Sequence, residues 1–292
     1  MKNEFNKGLL LTSLGSFWWG FIGVIYFEYV AFIGHIELVV HRCLWTAVML
    51  IITTSIFSKW KLFTHILNDK KKLIGLFISG LLIFINWAVW IYAVASERII
   101  DASFGYFIMP IISVMLGYIF FKEKLNNKRK FSIVLVLISI FILIFFNLKS
   151  LPWVGLIVAL SWAFYNLVRK KINVDTDIGL LIESLFIFPF ALFTFYIISK
   201  NGFNDFSFSN IGLSLFLILA GPMTVIPLFL YVRGVELIGL GPTGMVFYIT
   251  PTFQFILGYF YYNEEFSLIK FLSFIIIWIA VVIYLRDLYE TN

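Results

Sequence analysis

Several polar side chains lie inside stretches of the sequence that are otherwise apolar. His41 and Arg42 fall in one such stretch, Glu183 falls in another, and Asn86 precedes Trp87 in a third. An arginine beside a histidine could hold a carboxylate, and a desolvated glutamate could exchange a proton near neutral pH. An amide next to an indole could bind a polar group and a ring of one small organic solute.

Each of these side chains also has a purely structural interpretation. Arg42 could reach the lipid headgroups or pair with Glu37 or Glu28, and Asn86 could bond to a neighbouring helix. Glu183 could form an ion pair with one of the basic residues that follow the sixth apolar stretch. Those residues are Arg169, Lys170 and Lys171. The sequence leaves both interpretations open at every one of these positions.

The composition indicates that lipid surrounds most of the chain. Of the 292 residues 61% are apolar and 13% are charged, and 35 are phenylalanine. A soluble domain is about 45–50% apolar and about 25% charged. The formal net charge of +6 comes from basic residues in short connections. This pattern indicates membrane topology and not binding to nucleic acid.

Ten stretches are long and apolar enough to cross a bilayer, which takes about 20 residues as a helix. They are residues 8–30, 36–57, 73–95, 102–121, 131–147, 152–168, 178–199, 211–232, 241–262 and 269–286. With the N-terminus in the cytoplasm, 17 basic residues fall in inner segments and 4 in outer segments. The positive-inside rule therefore predicts that both termini face the cytoplasm. The sequence predicts an all-α, multi-pass protein of the bacterial inner membrane.

The fourth and ninth stretches share one spaced pattern. A proline is followed after six residues by glycine and tyrosine, and after four more by glutamate, starting at Pro110 and again at Pro251. Tyr92 and Tyr231, upstream, are each followed five positions later by glutamate. Matched stretches lie five apart, an odd number, so the halves 8–147 and 152–287 must be inverted. Inverted repeats of five helices are typical of secondary transporters.

The two matched prolines predict interruptions of the fourth and ninth helices. A proline inside a helix frees the carbonyl four residues earlier, here that of Tyr106 or Phe247. We expect Pro110 and Pro251 to act as hinges beside a central cavity. A static packing kink is the alternative interpretation.

In the order of its motifs, the chain resembles the drug/metabolite transporter superfamily with two EamA-type repeats, and most closely its RarD branch. The resemblance depends on His41-Arg42, on Asn86-Trp87, on residues 102–110, 164–171, 181–189 and 247–252, and on residues 274–278. It extends from about residue 8 to residue 287. It implies ten helices and alternating access for a small organic solute. It also implies a cavity lined by the first, third, fourth, sixth, eighth and ninth helices.

Candidate residues follow from these considerations. The solute-binding candidates are Trp19, His41, Arg42, Asn86, Trp87, Trp90, Tyr106, Tyr165, Phe247 and Tyr248. Glu183 and Arg169 are candidates for ion coupling or for an ion pair. We expect a small organic solute and membrane lipids as partners, and protons as a candidate coupling ion. The sequence does not indicate an oligomeric state, a substrate or a direction of transport.

Two other classes of function fit the sequence less well. An intramembrane protease would need a GxSG string with a histidine or paired metal-binding histidines, and both are absent. An enzyme acting on a lipid or lipid-linked substrate by prenyl transfer would need DxxxD clusters, whereas Asp175 and Asp177 are two apart in a short loop. The only cysteine is Cys43, so no thiolate metal site is expected. A sensor or scaffold is disfavoured because no soluble signalling domain is attached. We therefore expect a transporter, and neither an enzyme nor a cofactor or metal site.

Overall fold

The computed structural model describes residues 2–95, 99–147, 153–261 and 267–291, and all secondary structure in these ranges is helical. Glu97, Arg98, Lys149, Pro152 and Glu264, which the sequence analysis used, lie outside the described residues. The elements are α1 (Lys2–Phe17), a π-helical turn (Trp18–Ile22), α2 (Gly23–Tyr29), α3 (His35–Ile56), α4 (Trp60–Leu67), α5 (Lys70–Ala95), α6 (Ile99–Phe121), α7 (Asn127–Asn147), α8 (Trp153–Ile172), α9 (Thr176–Lys200), α10 (Ile211–Ile238), α11 (Leu240–Val246), α12 (Ile249–Phe260) and α13 (Leu268–Thr291).

Eight helical stretches within these ranges are long and apolar enough to cross a membrane. The first of them joins α1, the π-helical turn and α2 into one rod. Helix α8 and the broken pair α11 and α12 occupy the positions of the other two predicted crossings, so the eight stretches are compatible with ten. Helix α8 ends in three consecutive basic residues, and the ninth crossing is divided into two short helices. These two features explain why hydropathy and length alone do not select them.

The short helix α4, between the second and third crossings, was not predicted. In this helix the ring of Trp60 packs on the ring of Phe63 with centroids 5.3 Å apart, and Ile66 is buried. Lys61 and His65 lie on the exposed side. An amphipathic helix of this kind is too short to span a bilayer, and its composition suits the membrane interface.

Contacts between connections group the two chain termini at one end of the bundle. Phe5 packs against Tyr289 with ring centroids 6.3 Å apart. Nε of Arg129, at the start of α7, donates to Oδ2 of Asp287, near the end of α13, at 2.8 Å. This end also carries the lysine-rich connections, so it is the cytoplasmic end. We call the opposite end the outer end.

The helices pack in pairs that are related by exchange of the two halves. Helix α1 packs on α10 as α8 packs on α5, and α3 packs on α10 as α9 packs on α5. The last crossings of the halves, α7 and α13, pack on each other. Ser139 of α7 donates its hydroxyl to the carbonyl oxygen of Ser273 in α13 at 2.9 Å. Small polar residues of this kind hold helices together where lipid supplies no hydrophobic drive.

The matched prolines have different effects in the two halves, which corrects the prediction of two interrupted helices. Helix α6 continues without a break through Pro110. The ninth crossing breaks at Phe247 and Tyr248, before Pro251, where the N–H of Thr250 donates to the Phe247 carbonyl oxygen at 2.9 Å. A proline removes one hydrogen bond, and it breaks a helix only when neighbouring residues form a tighter turn.

Candidate functional site

A cavity of about 500 Å³ opens between the helices in the outer half of the bundle. It is lined by Trp19, Gly23, Val24, Phe27, Glu28, Ala31, Arg42, Asn86, Trp87, Trp90, Tyr106, Met109, Val158, Trp162, Phe247, Thr250 and Gln254. These residues lie toward the outer ends of the first, second, third, fourth, sixth and ninth crossings. The eighth crossing, which was predicted to line the cavity, contributes none of these residues, and Arg42 of the second crossing bonds to Thr224 of α10.

Arg42 is the basic residue of the cavity wall. Its Nε donates to Oγ1 of Thr224 in α10 at 2.9 Å. The centre of its guanidinium lies 4.5 Å from the ring centroid of Trp87 and 5.2 Å from that of Phe27. Two aromatic faces can hold a guanidinium without neutralising its charge. The arrangement fixes the side chain and keeps it positive inside the bundle.

An aromatic cluster forms the floor of the cavity. Trp19 meets Trp162 edge-on with ring centroids 5.1 Å apart, and Trp162 lies 5.5 Å from Tyr231. Phe247 lies 5.5 Å from Tyr231 and 5.8 Å from Tyr106. These rings come from five different crossings. Together they separate the cavity from the cytoplasmic end.

A π-helical turn in the first crossing carries Trp19, and the floor depends on its close packing. A Cβ on Gly20 would lie 2.6 Å from the carbonyl oxygen of Thr250. The hydroxyl of Thr250 donates to the carbonyl oxygen of Ser16 at 2.9 Å. Only glycine allows the first and ninth crossings to approach this closely. Single π-helical turns are frequent at functional sites.

Asn86 lines the cavity and is also bonded within the bundle. Its Nδ2 donates to the carbonyl oxygen of Val158 at 2.9 Å and to Oγ of Ser161 at 3.1 Å. The amide nitrogen therefore ties α5 to α8, as the structural interpretation expected. Trp90, one turn further along α5, packs on Tyr106 with centroids 5.3 Å apart.

Three predicted site residues lie outside the cavity. Tyr165 is fully buried below the floor, and its hydroxyl donates to Oε2 of Glu183 at 3.2 Å. The hydroxyl of Tyr248 donates to the carbonyl oxygen of Phe107 at 2.8 Å, inside a second apolar cluster. The ring of His41 points away from its neighbour Arg42, because adjacent residues of a helix project about 100° apart.

His41 belongs to a separate polar group at the outer end. Its Nε2 lies 3.4 Å from Oε1 of Glu37, and its Nδ1 accepts from Nε1 of Trp45 at 3.1 Å. The same Glu37 oxygen accepts from the backbone N–H groups of Asp205 and Phe206 at 2.8 and 3.2 Å. Glu37 therefore ties α3 to the connection before α10. It is not the partner of Arg42 that the sequence analysis considered.

Glu183 lies below the aromatic floor in a buried polar network. One of its oxygens accepts from the hydroxyl of Ser79, and the same oxygen lies 3.5 Å from Nε of Arg169. Nη2 of Arg169 donates to the carbonyl oxygen of Thr176 at 3.1 Å. The pair joins α5, α8 and α9 at the cytoplasmic side of the cavity. The ion pair that the sequence allowed is present, with Arg169 as the partner.

Further contacts close the cytoplasmic end. Both carboxylate oxygens of Glu123, in the α6–α7 connection, accept backbone N–H bonds from the start of α11, from Leu240 at 2.8 Å and Gly241 at 2.9 Å. Gly239, just before them, has a φ of 95°, which favours glycine. The hydroxyl of Thr176 donates to Glu236 at 2.7 Å. Glu123 was part of the repeated pattern, but its bond to α11 was not foreseen.

A second charged cluster lies outside the crossings at the same end. Nζ of Lys59 donates to Oδ2 of Asp177 at 2.7 Å and to Oδ1 of Asp175 at 3.2 Å. Burial opposes the charge on Lys59, but its bonds and ion pairs with the two aspartates raise the pKa of Lys59 overall. The cluster ties the α3–α4 connection to the start of α9.

Sequence reasoning missed several residues of the site, among them four with informative side chains. Phe27 and Met109 line the cavity, Gln254 lies at its outer part, and Thr224 holds Arg42. Two signals were available in the sequence. Gln254 is a polar residue in an apolar stretch, and Met109 directly precedes the singled-out Pro110. The other two residues become relevant only once α2 and α10 are placed beside Arg42.

A bundle of long apolar helices, with pairs of helices related by exchange of its halves and a cavity between them, is typical of a membrane transport protein. The EamA-like transporter family matches the chain twice, over residues 6–145 and 150–286. The chain therefore belongs to the EamA-like transporter family. It is a multi-pass membrane transporter of the bacterial inner membrane.

Individual proteins are similar over almost the whole chain. Protein RarD of Escherichia coli is 31% identical over 286 residues, which cover 98% of this chain and 96% of that protein. The uncharacterized transporter YojE of Bacillus subtilis is 32% identical over 284 residues, covering 96% and 94% of the two chains. A solved crystal structure shares the fold with a TM-score of 0.72 at 11% identity, and the match covers 96% of this chain and 97% of that one.

Proposed function

We propose that the protein is a secondary transporter that moves a small organic solute across the inner membrane by alternating access. The cavity carries this proposal, since it reaches the middle of the bundle from the outer end and stops at the aromatic floor. In this interpretation the structure represents an outward-open state. The polar contacts of Glu183 and Glu123 then hold the cytoplasmic end closed.

The same cavity is the proposed solute-binding site. A drug-sized ligand site is a cleft of about 300–1,000 Å³, mostly apolar with a few placed polar groups. The cavity has this character, with a volume of about 500 Å³. Trp19, Trp87 and Trp90 supply aromatic walls, while Arg42 and Asn86 supply polar groups.

Alternating access requires that the crossings beside the floor bend or shift. We place one hinge at the break before Pro251, where the ninth crossing changes from α11 to α12. Pro110 would act as its counterpart in α6, which is straight in this state. A hinge needs residues that absorb backbone rotation, and a proline within a helix lowers the cost of bending.

The driving force is the solute gradient or the proton gradient. Glu183 is the carboxyl group that could couple proton movement to transport, because it lies buried between the cavity floor and the cytoplasm. Its ion pair with Arg169 would open when the cytoplasmic end opens. Replacing Glu183 by glutamine tests this role: uptake that depends on pH in the natural protein should lose that dependence in the variant.

Reconstitution into liposomes tests the transport function directly. The purified protein is supplied with radiolabelled organic acids, amines, amino acids and nucleosides, and uptake is compared with protein-free vesicles. We expect time-dependent uptake of at least one solute, and loss of most of it in the cavity variant Trp19→Ala. Trp60→Ala, on the interfacial helix α4, is the matched control and should transport normally. Folded protein that neither binds nor moves any solute would contradict the proposal.

A further inference from the structure

Resting on the proposed transport function, we infer that the solute carries a carboxylate that binds to Arg42, attached to an apolar or aromatic body. Arg42 is thus the residue that selects the class of solute. The argument uses the charge of Arg42, the direction of its free nitrogens and the chemistry of the surrounding wall.

The first observation is that Arg42 is buried and has no carboxylate partner among the described residues. Its side chain is 8% exposed, and within the described residues no carboxylate oxygen lies within 4.0 Å of it. The acidic neighbour that α3 supplies, Glu37, is bonded to His41 and to the connection before α10. A charge inside a bilayer protein normally has a partner, and the residues that lack one mark substrate or ion pathways.

The second observation concerns the geometry of the guanidinium group. Nε donates to Thr224, and the centre of the group lies over the rings of Trp87 and Phe27. Among the described residues the two terminal nitrogens have no hydrogen-bond partner, and Arg42 lines the cavity. Two parallel N–H donors fit the two oxygens of a carboxylate. The protein therefore presents a ready-made bidentate site to the cavity.

The residues that line the cavity favour a carboxylate over a more highly charged anion. Among the described lining residues Arg42 is the one basic side chain, and the others are apolar, aromatic or neutral apart from Glu28. A phosphate ester carries close to two negative charges and needs several donors. One guanidinium matches the single charge of a carboxylate. The rings of Trp19, Trp90 and Phe247 then offer faces to the rest of the solute.

Pairs of compounds that differ only in the acidic group test the inference. The probes are benzoate, 3-phenylpropionate, indole-3-acetate and hexanoate, each beside its primary amide and its amine of equal length. Binding is measured by the thermal shift of purified protein and by competition with a transported label. We expect at least one acid to bind tenfold or more tightly than its amide, which is the scale of a charge-assisted bidentate bond.

Variants of Arg42 connect the preference to this residue. Arg42→Gln should bind acid and amide equally, and Arg42→Lys should keep a weaker preference for the acid, since an ammonium attracts a carboxylate without the bidentate fit. Thr224→Val removes the bond to Nε and should weaken binding of the acid without changing that of the amide. Arg286→Gln, whose arginine is 78% exposed at the cytoplasmic end, is the matched control.

The outcomes separate this inference from the transport function. If amides or amines bind and move as well as acids, or if Arg42→Gln keeps the preference for acids, the carboxylate inference is wrong while the transporter stands. If no compound of any charge binds to folded protein, both proposals are contradicted. A preference for acids that vanishes in Arg42→Gln supports both.

Discussion

The outer and cytoplasmic ends of the bundle are built from matched residues that are packed differently. Tyr92 and Tyr231 occupy matching positions of the two halves, yet Tyr92 is 47% exposed and Tyr231 is 1% exposed. Tyr231 belongs to the aromatic floor, whereas Tyr92 lies at the outer end, 6.0 Å from the ring of Trp153. Under the proposed alternating access, this difference belongs to the conformational state, and the two tyrosines exchange their environments.

The same comparison applies to the two charged residues of the interior. Arg42 and Glu183 are 141 positions apart, the spacing that also separates Pro110 from Pro251. Each is held by a hydroxyl group of a crossing from the other half, Thr224 for Arg42 and Ser79 for Glu183. Arg42 faces an open cavity, and Glu183 is enclosed with Arg169. Among the described residues, the charge at the open end therefore has no carboxylate partner, and the charge at the closed end is paired.

The largest effect is expected from removing the partner of a buried charge. Glu183→Ala leaves Arg169, which is 1% exposed, without its carboxylate. Breaking a buried ion pair costs about 3–5 kcal/mol. Arg42→Ala, at the open end, removes a charge that has no carboxylate partner and should cost about 1 kcal/mol or less. Denaturant unfolding in detergent measures both values, and equal losses would show that the two ends do not differ in this way.

The two matched tyrosines give the next largest difference. Tyr231→Ala opens a void in the aromatic floor and should lower the free energy of unfolding by about 3 kcal/mol, the scale of large-to-small changes in a core. Tyr92→Ala removes a half-exposed ring, so we expect a loss below about 1 kcal/mol. Thermal unfolding of both variants under the same conditions provides the measurement. A larger loss for Tyr92 would mean that the outer end is the closed one.

Much of this architecture could be predicted from the sequence. Hydropathy and the distribution of lysine give the crossings and their orientation, since both reflect the cost of placing polar groups in lipid. The matched patterns at Pro110 and Pro251 lie five crossings apart, an odd number, which gives the inverted halves. The cavity residues Trp19, Asn86 and Arg42 were identified from their types. A polar side chain in a membrane interior is costly and so indicates a function, and an aromatic ring there can bind an organic solute.

The sequence could not reveal the conformational state or the contacts that depend on it. Tyr165 is an aromatic residue at the depth in the membrane where the lining residues lie. The direction of its side chain, however, depends on how α8 is rotated against α9. The bond between Glu123 and the start of α11 joins segments that are more than a hundred residues apart. Pro110 and Pro251 look identical in sequence, and only the turn at Phe247 decides which helix breaks.

The Glu123 contact allows a test of closure at the cytoplasmic end. Glu123→Ala removes the acceptor of two backbone N–H bonds, and bonds to a charged acceptor contribute about 1.5–3 kcal/mol. We expect the cytoplasmic end to open more often. With Cys43→Ser as the background, a cysteine introduced as Asn166→Cys, a 1% exposed position below the floor, should react with a thiol reagent about tenfold faster.

The control for this experiment is a carboxylate at the same end. Glu290→Ala removes an exposed group that is paired with Lys128 and Arg286, so the rate of labelling should stay unchanged. A cysteine introduced as Ala31→Cys, in the outer part of the cavity, should react more slowly when Glu123 is removed, since opening one end closes the other. Faster labelling at both positions would indicate loosening of the whole bundle and not a shift between two states.

The smallest expected effect concerns the two prolines. Pro251→Ala restores an N–H group beside the break between α11 and α12, which favours a continuous helix and stiffens the proposed hinge. We expect the rate of transport to fall a few-fold, with little change in the affinity for the solute. Pro110→Ala lies in a helix that is already continuous in this state, so its effect on binding from the outer side should be smaller still.

Initial rates and binding isotherms measured side by side separate these quantities. If Pro251→Ala weakens binding and leaves the rate unchanged, Pro251 shapes the cavity and does not act as a hinge.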